Sequence, residues 1–338
     1  MNPPKAYASV AMRIFMKSPF GYAGIISPLC YRCRRGIANG KTEMGSFRAI
    51  GASLLLSLGI VSFPALSQTD AAKAEFRAAA EAANKAMVAG PADIKLVDQA
   101  VLKLPKDLGY IPAAEAGWLL AAMGNRPGDG LLGLVLSPAS DAHWFVVMRF
   151  FKSGYIKDDD ARDWKTDELL TGLKEGTEEA NKDRRSRGMS EIEVLGWVEA
   201  PKYDAATHRL VWSLESKDRS APAGAERGVN YNTYALGRDG YISMNLVTSM
   251  KSVEAQKPTA QTLLASLQYH DGKKYGDFNS ATDHIAEYGL AALIGGVAAK
   301  KLGLFALLFA FLLKFAKVIG IAALAAAAVL YRIFKKKP

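Results

Sequence analysis

Three consecutive carboxylates, Asp158, Asp159 and Asp160, close the segment Gly154-Tyr-Ile-Lys-Asp-Asp-Asp160. Carboxylates are the side chains that hold hard divalent cations or carry protons in acid–base chemistry. The alternation of oxygen ligands that an EF-hand loop needs is missing here. The run therefore has two readings, a cation or acid–base site, or a solvated turn that caps the next helix. Tyr155 stands near its head, and Glu178, Glu179 and Asn181 on a following polar stretch are the side chains that would complete a site if the fold brings them together. These seven residues form the candidate ligand or partner surface.

Other chemistry is sparse. The four histidines, His143, His208, His270 and His284, make no HxH, HxxxH or HExxH spacing, so each reads as a surface or packing residue. Lys152-Ser153-Gly154 is similar to the third box of penicillin-interacting enzymes, but no serine in the chain has a lysine three residues on, so the matching nucleophile is absent. There is no G-x-S-x-G elbow or Walker loop. Trp197, Tyr231 and Tyr234 line a groove or belong to a core, and core is the commoner fate of aromatics on a sheet face. No catalytic residue, metal ligand set or cofactor is implied.

Positioning these residues falls to an alternation of helices and short strands. Thr69 to Ala89 is alanine-rich and stops at Gly90-Pro91, reading as a helix with a thin stripe of Phe76, Ala79, Ala83 and Met87. Ile94 to Leu104 reads as a hairpin turning at Asp98-Gln99, and Pro112 opens a second helix through Trp118-Leu119-Leu120. Leu131–Leu136 and Trp144–Phe151 are apolar strands. A polar helix runs from Thr166 to Arg187, with Asp167 and Glu168 in its first turn and Arg184, Arg185 and Arg187 in its last, as the helix dipole favours. Four strands follow, Ile192–Val198, His208–Ser216, Val229–Leu236 and Tyr241–Thr248, whose period-two patterns predict antiparallel packing with one polar face. Pro258 is expected to start a last helix through Leu263, Leu264 and Leu267.

The ends of the chain carry targeting signals. Met44-Gly-Ser-Phe-Arg48 is a positive n-region, Ala49 to Phe63 an apolar h-region, and Ala65-Leu66-Ser67 offers small residues before a cleavage site. That order fits a secretory signal peptide. Met44 is then the expected start, with Met1 the alternative, and residues 1–43 read as a non-native extension. Cys30 and Cys33 fall in it, which leaves the mature chain without cysteine. Of the 43 basic residues 8 lie in residues 1–67 and 8 in residues 300–338, against a single acid, Glu43. The remaining 27 basic and 32 acidic residues give the middle a net charge of −5, which argues against a nucleic-acid partner.

From Leu302 to Tyr331 runs the longest apolar stretch, followed by Arg332, Lys335, Lys336 and Lys337. Thirty residues make a helix of about 45 Å, longer than the roughly 30 Å hydrocarbon core. Lys314 and Lys317 interrupt it on one face, each costing roughly 2.5–3.5 kcal/mol at mid-bilayer. Its Leu, Ile, Val and Phe residues return about 5–9 kcal/mol together, so insertion narrowly wins. The two lysines snorkel to an interface, meet a partner helix, or divide the run into two short helices. The basic tail favours a cytoplasmic C-terminus. The preceding 289–299 segment is either a flexible link or a close-packing helix.

Several stretches resemble a bacterial family of uncharacterised, predicted membrane-anchored proteins (domain of unknown function 2167). They are Gly154–Asp160, Lys174-Glu-Gly-Thr-Glu-Glu-Ala-Asn181, Gly196-Trp197, Pro201-Lys-Tyr-Asp204, Val229-Asn-Tyr-Asn232 with Leu236-Gly237, and Glu287-Tyr-Gly-Leu-Ala-Ala-Leu293 with Lys300-Lys301. The resemblance implies the anchored layout and no assigned activity.

The expected fold is α+β, an antiparallel meander covered by helices, with a signal helix and a C-terminal transmembrane helix. The expected divisions are the extension 1–43, signal 44–67, N-terminal helix 68–90, extracytoplasmic domain 91–285, and 286–338 with the anchor at about 302–331. The expected role is an inner-membrane envelope protein with a periplasmic binding or interaction module. Its partners are membrane lipid and either another envelope protein or its own copies through the anchor. The alternative is a tethered hydrolase or metal-dependent enzyme using Asp158–Asp160.

Overall fold

The computed structural model describes residues 70–139 and 142–295. The signal and the anchor, with Lys314, Lys317, Arg332 and Lys335–Lys337, lie outside the described residues. Among those described, no helix is long and apolar enough to cross a membrane.

The chain begins with helix α1 (Asp70–Ala86), which buries Phe76, Ala79, Ala80 and Ala83. The short strand β1 (Val88–Ala89) follows, then the hairpin β2 (Ala92–Leu96) and β3 (Ala100–Leu104), turning where expected. Strand β4 (Gly109–Pro112) leads into α2 (Ala113–Ala122), and β5 (Leu131–Leu136) pairs with β6 (Phe145–Phe151). The polar helix α3 (Thr166–Ser186) precedes β7 (Ile192–Asp204), β8 (Arg209–Asp218), β9 (Gly228–Leu236) and β10 (Tyr241–Ser249). Helix α4 (Val253–Ser266) and β11 (Leu267–Tyr269) complete the regular elements.

The fold is α+β. Eight strands form one antiparallel sheet in the order β1-β4-β5-β6-β10-β9-β8-β7, and β11-β3-β2 form a smaller one. The large sheet is two meanders, β4-β5-β6 and β7-β8-β9-β10, joined where β6 pairs with β10. Because the second meander runs back toward the first, α3 must carry the chain from β6 to the far edge.

Alternation sends side chains to two layers. Ile242, Met244 and Leu246 of β10 join Leu102, Leu104, Leu263 and Leu264 beneath the small sheet and α4. Val247 faces the other way, into a cluster with Phe76, Leu119 and Leu120 of α1 and α2. Tyr241, Trp212, Tyr234 and Leu210 form a third cluster with Leu169 and Leu173 of α3 and with Leu290, Leu293 and Ile294. Trp212 meets Trp197 and Tyr234 edge-on, each at 6.1 Å, so these aromatics make core packing rather than a groove.

The expectation of one polar, solvated face on β9 and β10 is overturned. Every residue of both strands is buried. They are central in the sheet and covered on both sides, and their polar side chains form an inlay between two apolar clusters. Asn245 lies level with Asn232, the Asn245 Nδ2 donates to Asn230 Oδ1 at 3.1 Å, and Asn232 Nδ2 donates to the Asn230 carbonyl at 3.2 Å. Pro258 does not begin α4 but sits inside it. Its missing N–H forfeits only the bond that would run to the carbonyl of Glu254, in the first turn.

Candidate functional site

After β6 the chain turns at Gly154, whose φ of +86° is a left-handed conformation. A Cβ there would lie 2.5 Å from the His284 carbonyl oxygen. That close approach lets the next residues pair with the C-terminal segment: Tyr155 N–H donates to His284 O and Ala286 N–H to Tyr155 O, both at 2.8 Å. The Tyr155 ring stacks on Tyr275 at 4.4 Å and on Phe278 at 3.9 Å, and Tyr275 also stacks on His208 at 4.1 Å. Four rings thus form one continuous pile. The Tyr275 hydroxyl donates to the Ile156 carbonyl at 2.8 Å, and burial pushes its phenol well above the ordinary value.

The three aspartates part company. Asp158 accepts the Tyr203 hydroxyl proton at 2.7 Å. Tyr203 has one hydroxyl hydrogen, so at its 3.1 Å contact with His208 Nδ1 the imidazole is the donor. His208 Nδ1 and the Asp158 carboxylate lie 3.7 Å apart. The result is a relay, His208 to Tyr203 to Asp158, in which Nδ1 of His208 carries a proton; in the neutral ring this leaves Nε2 as the acceptor. Burial, then the Asp158 carboxylate, push the Tyr203 phenol far above its usual value, so it is a held proton donor rather than a phenolate nucleophile. His208 ends the tight turn after β7 at φ +53°, a conformation in which histidine is over-represented among non-glycine residues. The same turn is braced by Asp204, which accepts from Ala206 N and Thr207 Oγ1.

Asp159 is exposed on the short 3-10 turn Asp159–Arg162. Asp160 points inward and accepts two backbone N–H groups, from Leu290 at 3.1 Å and Ala291 at 3.0 Å. Residues 290–295 are helical, so Asp160 supplies the acceptor that a helix start lacks. Gly289 makes room for that contact, since a Cβ would sit 2.5 Å from the Asp160 carboxylate and force it to shift. Burial pushes the Asp160 carboxyl above its ordinary value, with the two N–H bonds opposing.

Glu178, Glu179 and Asn181 have other partners. Glu178 pairs with Arg219, which also binds Glu191. Glu179 pairs with Lys182 one turn on. Asn181 is fully buried and clasps the edge strand β7: its Nδ2 donates to Ile192 O at 2.8 Å, and its Oδ1 accepts from Ile192 N at 2.9 Å. Among the described residues no group of three or more His, Asp or Glu is arranged to hold a metal ion.

Tyr203, His208, Tyr275, Phe278 and Gly289 were not among the residues the sequence pointed to. A signal did exist for two of them. Gly154–Asp160, Pro201–Asp204 and Glu287–Leu293, three stretches quoted for the family resemblance, meet at this one place. The site is therefore an aromatic and carboxylate clamp on residues 284–291 of an antiparallel α+β domain.

The protein class these features define is an α+β domain closed around its own segment 284–295. The chain belongs to the family described as "Protein of unknown function (DUF2167)", whose family model matches residues 88–325. No curated protein matches it. Among solved structures it is similar to the solution structure of cyanobacterial PsbP (CyanoP) from Synechocystis sp. PCC 6803. The two share 10% identity over 54% of this chain and 91% of that one, with a TM-score of 0.33.

Proposed function

We propose that this protein is a single-pass envelope protein of the bacterial inner membrane, with an extracytoplasmic α+β domain acting as a binding or interaction module. The observation that carries the reading is the clamp: residues 154–160 grip residues 284–291, which precede the apolar run 302–331 and its basic tail in the sequence. The signal-like segment 44–67 and the positive C-terminal cluster agree on orientation. Partners on this reading are lipid and a second envelope protein or another copy of the chain. Protease added to spheroplasts tests it. Digestion of the domain with a short protected C-terminal fragment is expected, and a domain that survives until the membrane is breached overturns it.

A membrane-tethered hydrolase is the second reading, favoured by the bare Nε2 that the Asp158–Tyr203–His208 relay orients as a proton acceptor. The metal-dependent form of it has less support, because Asp158 and Asp160 are committed to different partners. Hydrolysis of a chromogenic ester by the purified full chain, lost in His208→Gln, supports this reading. Equal rates in the two proteins remove it.

A further inference from the structure

We infer that Asp160 is a latch that couples the domain to its C-terminal helix as one body, so that a disturbance of the 153–160 loop is passed directly to the helix beginning at Leu290. Several contacts support it. The Asp160 carboxylate holds the N–H groups of Leu290 and Ala291. Gly289 leaves no room for a side chain between carboxylate and backbone. Leu290, Leu293 and Ile294 are completely buried against the cluster of Trp212, Tyr234 and Tyr241. Upstream, the backbone pairing of Tyr155 with residues 284–286 and the bidentate Arg238–Asp283 pair, at 2.7 and 2.8 Å, hold the approach to the helix.

The same loop is attached at both ends. Asp158 looks outward into the relay with Tyr203 and half-exposed His208, while Asp160, one short turn away, looks inward to the helix. A slack linker between domain and helix has none of these constraints. The carboxylate sits in a poorly solvated place, where burial opposes its ionisation and the two N–H groups favour it. The coupling is a property of residues 153–294 and does not require that the downstream run lie in lipid.

Hydrogen exchange on the full chain in detergent or nanodiscs tests the latch. The amides of Leu290 and Ala291 are expected to exchange slowly in the native protein, and roughly tenfold faster or more in Asp160→Ala, with β9 and β10 unchanged. Fast exchange at both amides in the native protein, or unchanged rates in the variant, overturns the inference. Should Asp160→Ala also expose the sheet, Gly289→Ala decides, since it keeps the carboxylate and pushes a methyl into it. Local loss of protection at 290 and 291 supports the latch, and none contradicts it. Carbonate washing of the same membranes reports the anchor separately, so protein that washes off but keeps its protected amides sinks the membrane reading and leaves the latch standing.

Discussion

Tyr203 gives its only hydroxyl proton to Asp158 across 2.7 Å, and thereby obliges His208 to donate from Nδ1. In nitrogen-detected NMR of the neutral imidazole, His208 is expected as the Nδ1–H tautomer. Tyr203→Phe removes the middle of the relay and should return the ring to a mixture of tautomers, with a stability loss of about 1 kcal/mol. A dominant Nε2–H form in the native protein contradicts the assignment.

Two aspartates on the exit segment's contacts give opposite pH slopes. Burial raises the Asp160 carboxyl, so its contribution to stability is fully present below the ordinary aspartate pKa and is lost as pH rises through the raised value. The Arg238 guanidinium holds Asp283 well below the usual carboxylate range, so its contribution is present above that range and is lost as pH falls through the lowered value. Urea midpoints across acidic pH should therefore lose opposite slopes in Asp160→Asn and Asp283→Asn.

Asn181 replaces a missing strand at the sheet edge by bonding both backbone groups of Ile192. Asn181→Ala leaves those groups unsatisfied and should cost about 2–4 kcal/mol in denaturant unfolding. It should also bare the start of an unprotected edge, visible as concentration-dependent self-association.

Gly240 turns β9 into β10 at φ +149°, and a Cβ there would run into the Phe151 carbonyl. Gly240→Ala combines a left-handed backbone penalty with a steric clash and should cost about 3 kcal/mol or more by thermal unfolding. A loss under 1 kcal/mol would show that the β6–β10 junction yields easily.

Much of the local structure was legible in the sequence. The β2–β3 hairpin, β5, α3 and the β9–β10 turn lie within a residue or two of where periodicity and turn residues put them. What pattern reading could not see is which face is covered. Asn230, Asn232, Ser243 and Asn245 alternate with apolar residues as solvent-facing side chains do, yet they are buried, because that alternation is the same whether the polar side meets water or other amides. The strand β1 and the small β11 are too short to carry a period. The carboxylate run was visible, but its meaning depended on partners distant in the chain. Leu290 is 130 residues from Asp160, and Tyr203 is 45 from Asp158. His208 looked like a stray histidine because no spacing rule links it to either.

The most direct test of the central claim, that the gripped exit leads into a bilayer, is alkaline carbonate extraction of membranes from cells making the full chain. The proposal predicts that the protein stays in the pellet after washing and leaves it only with detergent. Recovery of the full-length chain in the carbonate supernatant would contradict it.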